Sequence, residues 1–180
     1  MKLKSLLLPL VLTLSLPAVA DVKDSGAGGF TIVRSFVAKG SPEEVYRKIA
    51  AVGEWWSSVH TYSGDAHNLT LDARAGGCWC EKLPKNGGSV MHMQVATAWP
   101  GMLLVLIGGL GPLQQMGVAG ALTFKLSPAE GGTTVEFTYA ATGYYPKGMD
   151  SLAPLVDGVL MDAVTRLHNY LDTGNPDAKK

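Results

Sequence analysis

The chain has 180 residues, of which 47% are hydrophobic, with 15 basic and 15 acidic side chains and two cysteines. This length suits a single domain. The acidic and basic residues balance, and the sequence has no basic patch that would indicate nucleic-acid binding and no polybasic run that would indicate binding to anionic lipid. Two cysteines are too few for a disulfide-rich scaffold, so the stability must come from an apolar core.

The N-terminus has the three parts of a cleavable secretory signal. Basic residues at the start are followed by an apolar run at residues 6–16 and by the small residues Ala18 and Ala20. The run is shorter than the ~20 residues that span a bilayer, which argues against a membrane anchor. We therefore expect a signal peptide over residues 1–20 and a periplasmic or secreted mature protein with a net charge of about −2.

The mature chain begins with a small, polar segment and then a strand and a helix. Residues 21–29 read as a flexible leader, and the apolar pattern of residues 30–37 predicts a first strand. Next, Ser41-Pro42-Glu43-Glu44 has the composition of a capping box with proline in the first turn. We therefore expect a helix from Pro42 to about Val52.

The middle of the chain predicts a meander of strands. Asn86-Gly87 favours a tight turn, Pro100-Gly101 and Gly131-Gly132 separate further apolar runs, and residues 108–120 form a glycine-rich loop. Strands that follow one another through such turns pair as one antiparallel sheet. The predicted strands cover residues 69–73, 78–83, 90–99, 102–107, 121–126 and 133–140.

A long amphipathic helix is predicted at the end of the chain. Apolar residues recur at helical spacing from about Ser151 to Leu171, and Gly174 ends the pattern. We expect Leu160, Val164 and Leu167 to be buried against the sheet. This pattern gives one domain over residues 30–173 and a C-terminal tail over residues 174–180.

The order of these elements, together with local motifs, resembles the START-related superfamily (SRPBCC), in its polyketide cyclase/dehydrase-like and heat-shock-ATPase-activator-like branches. The resemblance covers about residues 30–171 and implies an α+β helix-grip fold, in which a bent antiparallel sheet wraps around a long C-terminal helix. It also implies an apolar-ligand cavity, but no particular reaction, because fold does not determine function. The matching motifs are Ser41-Pro42-Glu43-Glu44-Val45, Trp55-Trp56, Gly76-Gly77, Pro100-Gly101, Leu122-Thr123-Phe124-Lys125-Leu126 and Gly131-Gly132-Thr133.

The hairpin around Asn86-Gly87 contains the main candidate site. A two-residue turn would pair Glu81 with His92 and Trp79 with Gln94, which places these four side chains on one face. The indole would supply apolar area, and the carboxylate and imidazole could orient a polar ligand group or move a proton. Alternatively, this is a solvated outer face with one charged pair. The predicted ligand-binding residues are Trp56, Trp79, Glu81, His92, Gln94 and Tyr139.

The other face of the hairpin contains Cys78, Cys80, Met91, Met93 and Val95. These side chains could be core filler, and the thiols and thioethers could instead bind Cu(I). A disulfide between the cysteines is a third interpretation, although their Cα atoms would lie about 6.5–7 Å apart in an extended strand. The sequence leaves these three interpretations open.

Three functions are consistent with these features. The leading one is non-catalytic binding of a small hydrophobic molecule, with no cofactor, no metal and no nucleic acid. The second is a polyketide cyclase/dehydrase-like enzyme with Glu81 and His92 as acid and base. The third is a protein-interaction module that uses Trp55-Trp56 and the loop at residues 108–120, with an unknown partner.

Overall fold

The computed structural model describes residues 22–178, so the predicted signal peptide lies outside the described residues. One eight-stranded antiparallel sheet has the order β1-β2-β8-β7-β6-β5-β4-β3 and is packed against a long C-terminal helix. The strands are β1 (Val22–Gly26), β2 (Gly29–Ala38), β3 (Leu69–Leu71), β4 (Cys78–Leu83), β5 (Gly88–Trp99), β6 (Leu103–Ile107), β7 (Ala119–Ala129) and β8 (Gly132–Thr142). The helices are α1 (Pro42–Ala50), α2 (Val52–Trp55) and α3 (Ala153–Thr173).

Helix α1 begins at the predicted capping box. The Glu44 amide donates to the Ser41 hydroxyl at 3.3 Å, and the Ser41 amide donates to the Glu44 carboxylate at 2.9 Å. These two bonds satisfy amides that the first turn otherwise leaves without partners. The helix ends at Ala50 rather than near Val52, because a break at Ala51 starts the short α2.

Helix α3 packs against the sheet and confirms the predicted helix-grip fold. Leu160 and Leu167 are fully buried and Val164 is 8% exposed, as the apolar stripe predicted. A buried ion pair between Asp157 of α3 and Arg34 of β2 joins the helix to the sheet. The helix therefore lies across the sheet with its apolar stripe in the core. No helix within residues 22–178 combines the length and apolar character needed to cross a membrane.

Both ends of the described chain are attached to the domain. Residues 22–26, in the segment for which the sequence predicts a flexible leader, form strand β1, which pairs with β2 at the sheet edge. At the other end, the Asn169 amide donates to the carbonyl oxygens of Pro176 and Ala178. The tail after α3 is therefore hydrogen-bonded to the helix.

The pairing of β4 with β5 differs from the predicted register. Four residues, 84–87, connect the strands, so Glu81 pairs with Val90 instead of His92. Trp79 pairs with Met93 instead of Gln94, and His92 is the extra residue of a β-bulge. The predicted pairs are wrong because the turn is longer than two residues and because the bulge shifts the register again.

The cysteines form a disulfide between Cys78 and Cys80, with 5.3 Å between their Cα atoms. This separation is shorter than in a regular strand, and it makes the bridge possible. The predicted Cys/Met face does not exist as a unit, because Met93 and Val95 are buried while Met91 is 53% exposed. Disulfide formation excludes both core-filler thiols and a thiolate copper site in this state.

Candidate functional site

A cavity of ≈ 440 Å³ lies between the sheet and the first half of α3. Its walls come from residues 56–62 after α2, from residues 110–116 of the glycine-rich loop, and from residues 152–160. Trp79 of β4 and His92 of β5 complete the wall on the sheet side. These segments are far apart in the sequence, and the helix-grip fold brings them together.

The mouth of the cavity is apolar. Val59, Tyr62 and Leu155 line the cavity and are 82%, 46% and 70% exposed, respectively. Exposed apolar side chains that are grouped at one opening are typical of ligand-binding grooves. The mouth therefore suits the entry of an apolar molecule.

Two tryptophans form one side of the cavity. Trp56 follows α2, donates its indole N–H to the His60 carbonyl at 3.0 Å, and packs edge-on against Trp79 with 4.9 Å between ring centroids. Trp55 does not line the cavity, and its indole N–H donates to the Ile49 carbonyl at 3.0 Å. Trp55 and Trp56 are only 2% and 6% exposed, so the predicted Trp55-Trp56 surface for a protein partner is buried in the core.

Glu81 and His92 form a buried pair, although they are not opposite each other in the strand register. The His92 Nε2 atom lies 2.8 Å from the Glu81 Oε2 atom, and the two side chains are 6% and 0% exposed. The Glu81 carboxylate also accepts hydrogen bonds from the backbone amides of Tyr62 and Ser63. Glu81 therefore lies behind His92 and joins β4 to the segment at the cavity mouth.

The surroundings keep the Glu81 carboxylate ionised. Burial alone would raise the pKa of Glu81, but hydrogen bonds from Ser63, His92 and Tyr62 outweigh it and hold the pKa below the ordinary value of 4.5. An ionised carboxylate only accepts hydrogen bonds, so His92 Nε2 must carry the proton in this contact. The other ring nitrogen of His92, Nδ1, is then the one left for chemistry in the cavity.

Tyr139 and Gln94 do not line the cavity. Tyr139 is fully buried, and its hydroxyl accepts a hydrogen bond from the Leu110 amide at 3.3 Å, which holds the glycine-rich loop in place. Burial raises the pKa of Tyr139. A Cβ at Gly120 would lie 2.8 Å from the Tyr139 hydroxyl, so this loop anchor depends on glycine there. Gln94 is exposed on the outer face and donates to the Gly76 carbonyl at 3.3 Å.

The structure thus brings three predicted residues, Trp56, Trp79 and His92, into the cavity wall, with Glu81 directly behind His92. Sequence reasoning missed the wall at residues 110–116. There, Leu113 is buried in a 3₁₀ turn, and the Gln114 amide donates to the His92 carbonyl at 2.8 Å. Apolar residues inside a glycine-rich loop were the available signal, because a solvated loop has no need of them.

No residue cluster with metal-site composition accompanies the cavity. Within residues 22–178, no group of three or more His, Cys, Asp and Glu side chains is placed to hold a metal ion. His60, which lies at the cavity mouth, has its Nε2 atom 4.0 Å from an Asp162 carboxylate oxygen, and this is a pair of partly exposed groups.

Comparison with known proteins supports the fold. No protein-family model matches the sequence, and no curated protein matches it. Among solved structures, the Aha1 dimer from Colwellia psychrerythraea matches with a TM-score of 0.54 and 22% identity, over 80% of this chain and 97% of that chain. CalU16 from Micromonospora echinospora matches with a TM-score of 0.54 and 14% identity, over 83% and 78% of the two chains.

A protein from Rhizobium leguminosarum gives a similar result, with a TM-score of 0.53 and 21% identity over 78% of this chain and 93% of that chain. Each of these proteins is similar to this chain over most of its length. The predicted resemblance is therefore confirmed for the helix-grip fold. At these identities the similarity concerns the fold and not the activity.

Proposed function

We propose that this chain binds a small, mostly apolar molecule in its cavity and releases it unchanged. The observation that carries the proposal is the cavity itself, which is ≈ 440 Å³ in volume, lined mostly by aromatic and aliphatic side chains and opened by an apolar mouth. Pockets of about 300–1,000 Å³ with few polar groups are typical of small-molecule binding. The helix-grip fold, with its cavity between sheet and helix, supports the same function.

The Glu81–His92 pair favours a second candidate, an enzyme that uses His92 as an acid or base. A buried carboxylate orients the imidazole, as in many catalytic pairs. Glu81 itself is a poor base, because three donors occupy its oxygens and it is fully buried. We therefore favour binding, with His92 as a group that orients the ligand.

We also propose that the protein works in the periplasm or outside the cell. The predicted signal peptide at residues 1–20 is the basis for this localisation. The Cys78–Cys80 disulfide supports it, because disulfides persist mainly in oxidising compartments. Mass analysis of the protein recovered from the periplasm or medium of its host tests the proposal. A chain that starts at Asp21 is expected, and a full-length cytoplasmic chain would contradict it.

Titration with a neutral apolar probe tests the binding function. N-phenyl-1-naphthylamine is expected to bind with a large rise in fluorescence in the wild-type protein. Val159→Trp places a large side chain in the cavity wall and should weaken binding at least tenfold. The matched control, Val37→Trp, alters an exposed position outside the cavity and should bind as the wild type does. Equal binding by the wild type and both variants would place the probe elsewhere and refute the proposal.

Native mass spectrometry of protein purified from its own host separates the two candidate functions further. A carrier is expected to retain a small molecule that can be extracted and rebound without chemical change. Conversion of that molecule into another by the wild type, but not by His92→Gln, would favour the enzyme.

A further inference from the structure

The cavity wall contains a buried donor without a partner. Trp79 is 2% exposed, and its indole Nε1 has no hydrogen-bond partner among the described residues. By contrast, the indole nitrogens of the neighbouring Trp55 and Trp56 both donate to backbone carbonyls. A buried N–H is rarely left unpaired, because its desolvation costs free energy that no bond returns. Trp79 therefore has the properties of a group that donates to a ligand acceptor.

The second polar group in this part of the wall is an acceptor. His92 donates from Nε2 to the Glu81 carboxylate, so in the neutral imidazole Nδ1 carries a lone pair. The rings of Trp79 and His92 lie side by side, with 6.0 Å between their centroids. Both rings line the cavity, so one small polar group of a ligand at this part of the wall can contact both residues.

The charge next to the site disfavours an anionic ligand. Glu81 is a buried carboxylate directly behind His92, and repulsion between like charges is strong where water is excluded. A ligand carboxylate between Trp79 and His92 would place a second negative charge there. A carbonyl or ether oxygen would satisfy Trp79 but would leave the His92 lone pair without a donor.

We propose that the ligand carries a neutral hydroxyl group, on an alcohol or a phenol, attached to an otherwise apolar body. Its oxygen accepts the Trp79 indole N–H, and its proton is donated to His92 Nδ1. This inference rests on the proposed binding function and adds the chemical class of the ligand. Glu81 is a positioning residue in this arrangement, because it selects which nitrogen of His92 accepts.

Four probes of similar shape test the inference at pH 8, by displacement of N-phenyl-1-naphthylamine. We expect 2-naphthol to bind about tenfold or more tightly than naphthalene. The affinity for 2-methoxynaphthalene should be within about threefold of the affinity for naphthalene, and 2-naphthoate should bind most weakly. Equal affinities for all four probes, or tightest binding of 2-naphthoate, would overturn the hydroxyl inference and leave cavity binding intact. Failure of all four probes and of the displaced probe to bind would refute the binding function itself.

Two variants assign the roles of the residues. Trp79→Phe keeps an aromatic ring but removes the N–H, so the ratio of the 2-naphthol affinity to the naphthalene affinity should fall several-fold, whatever the change in the naphthalene affinity itself. Glu81→Gln can donate its amide to His92 Nε2, which moves the ring proton to Nδ1. The preference should then shift from 2-naphthol towards 2-methoxynaphthalene.

The control for Glu81→Gln is Glu136→Gln, which alters an exposed glutamate on β8 and should keep the wild-type order of affinities. Equal weakening of all probes by Glu81→Gln would show a structural role alone and overturn the assignment of His92 Nδ1. Should Glu81→Gln not fold, the probe series and Trp79→Phe decide the proposal. An unchanged preference for 2-naphthol in Trp79→Phe would refute it.

Discussion

Replacement of Glu81 by alanine tests whether the buried carboxylate holds the site together. The substitution removes the acceptor of three hydrogen bonds, from the Tyr62 and Ser63 amides and from His92 Nε2. Hydrogen bonds to a charged group are each worth about 1.5–3 kcal/mol, but the amides lie on a partly exposed segment where water can replace the carboxylate. We therefore expect a loss of about 3–5 kcal/mol, as when one partner of a buried pair is removed.

Equilibrium unfolding in urea, with Glu136→Ala as the matched control, measures this loss. Glu136 is also a strand glutamate, but it is exposed and pairs with Lys125 at 3.4 Å, so its removal should cost about 1 kcal/mol or less. In thermal unfolding of a domain of this size, the expected loss for Glu81→Ala corresponds to roughly 6–20 °C. A Glu81→Ala variant within 1 kcal/mol of Glu136→Ala would refute the reasoning.

The pH dependence gives an independent check on the same carboxylate. Because the folded-state pKa of Glu81 lies below its ordinary value of 4.5, ionised Glu81 stabilises the fold at higher pH. This contribution is fully present above the unfolded-state value and is lost as the pH falls through the folded-state pKa. The stability difference between wild type and Glu81→Gln should thus be constant at neutral pH and decrease below pH 4.5. A difference that grows on acidification would contradict the lowered pKa.

Two further predictions concern the helix and the disulfide. Leu167→Asp buries an unpaired charge at a fully buried position and should unfold the domain, whereas Leu155→Asp, at a position 70% exposed on the same helix, should melt close to the wild type in circular dichroism. A folded Leu167→Asp variant would show that α3 packs differently. The exported protein should have a mass two hydrogens below that of the dithiol and should react with an alkylating agent at Cys78 and Cys80 only after reduction. Alkylation without reductant would contradict the disulfide.

The order of the elements was predictable because local signals agreed with the fold. The capping box at Ser41 placed the start of α1, and the 3.6-residue apolar period identified α3 within two residues at each end. Glycine and proline turns separated the strands of the meander. Such signals depend on neighbours in the sequence, and the helix-grip topology followed from their order.

The leader and the glycine-rich loop were harder to predict because their structure depends on tertiary contacts. Val22–Gly26 has a polar, glycine-containing sequence, and it forms a strand because β2 offers an edge for pairing. Residues 110–116 enter the cavity wall because the Tyr139 hydroxyl and the His92 carbonyl bind the loop from other strands. No local pattern in the loop encodes these partners, which lie more than twenty residues away.

The hairpin shows why the sequence places Trp79, Glu81 and His92 on one face despite an incorrect register. Alternation along β4 alone places Trp79 and Glu81 on one face, and this part does not depend on the pairing. On β5, the bulge turns both His92 and Met93 inward, which strict alternation forbids, and it leaves Gln94 outside. The inward position of His92 was therefore right, whereas Gln94, two residues on, was assigned to the wrong face.

The disulfide and the β-bulge lie opposite each other in the same irregular part of the β4–β5 pair. Cys78 pairs with Gln94 and Cys80 pairs with Met91, so a two-residue step on β4 faces a three-residue step on β5. The disulfide spans the β4 step, with 5.3 Å between the Cα atoms, and the extra residue of the β5 step forms the bulge opposite it. The residue accommodated by this bulge is His92, which turns inward to Glu81. The disulfide between two partly exposed residues thus lies directly opposite the bulge that places an imidazole in the cavity wall.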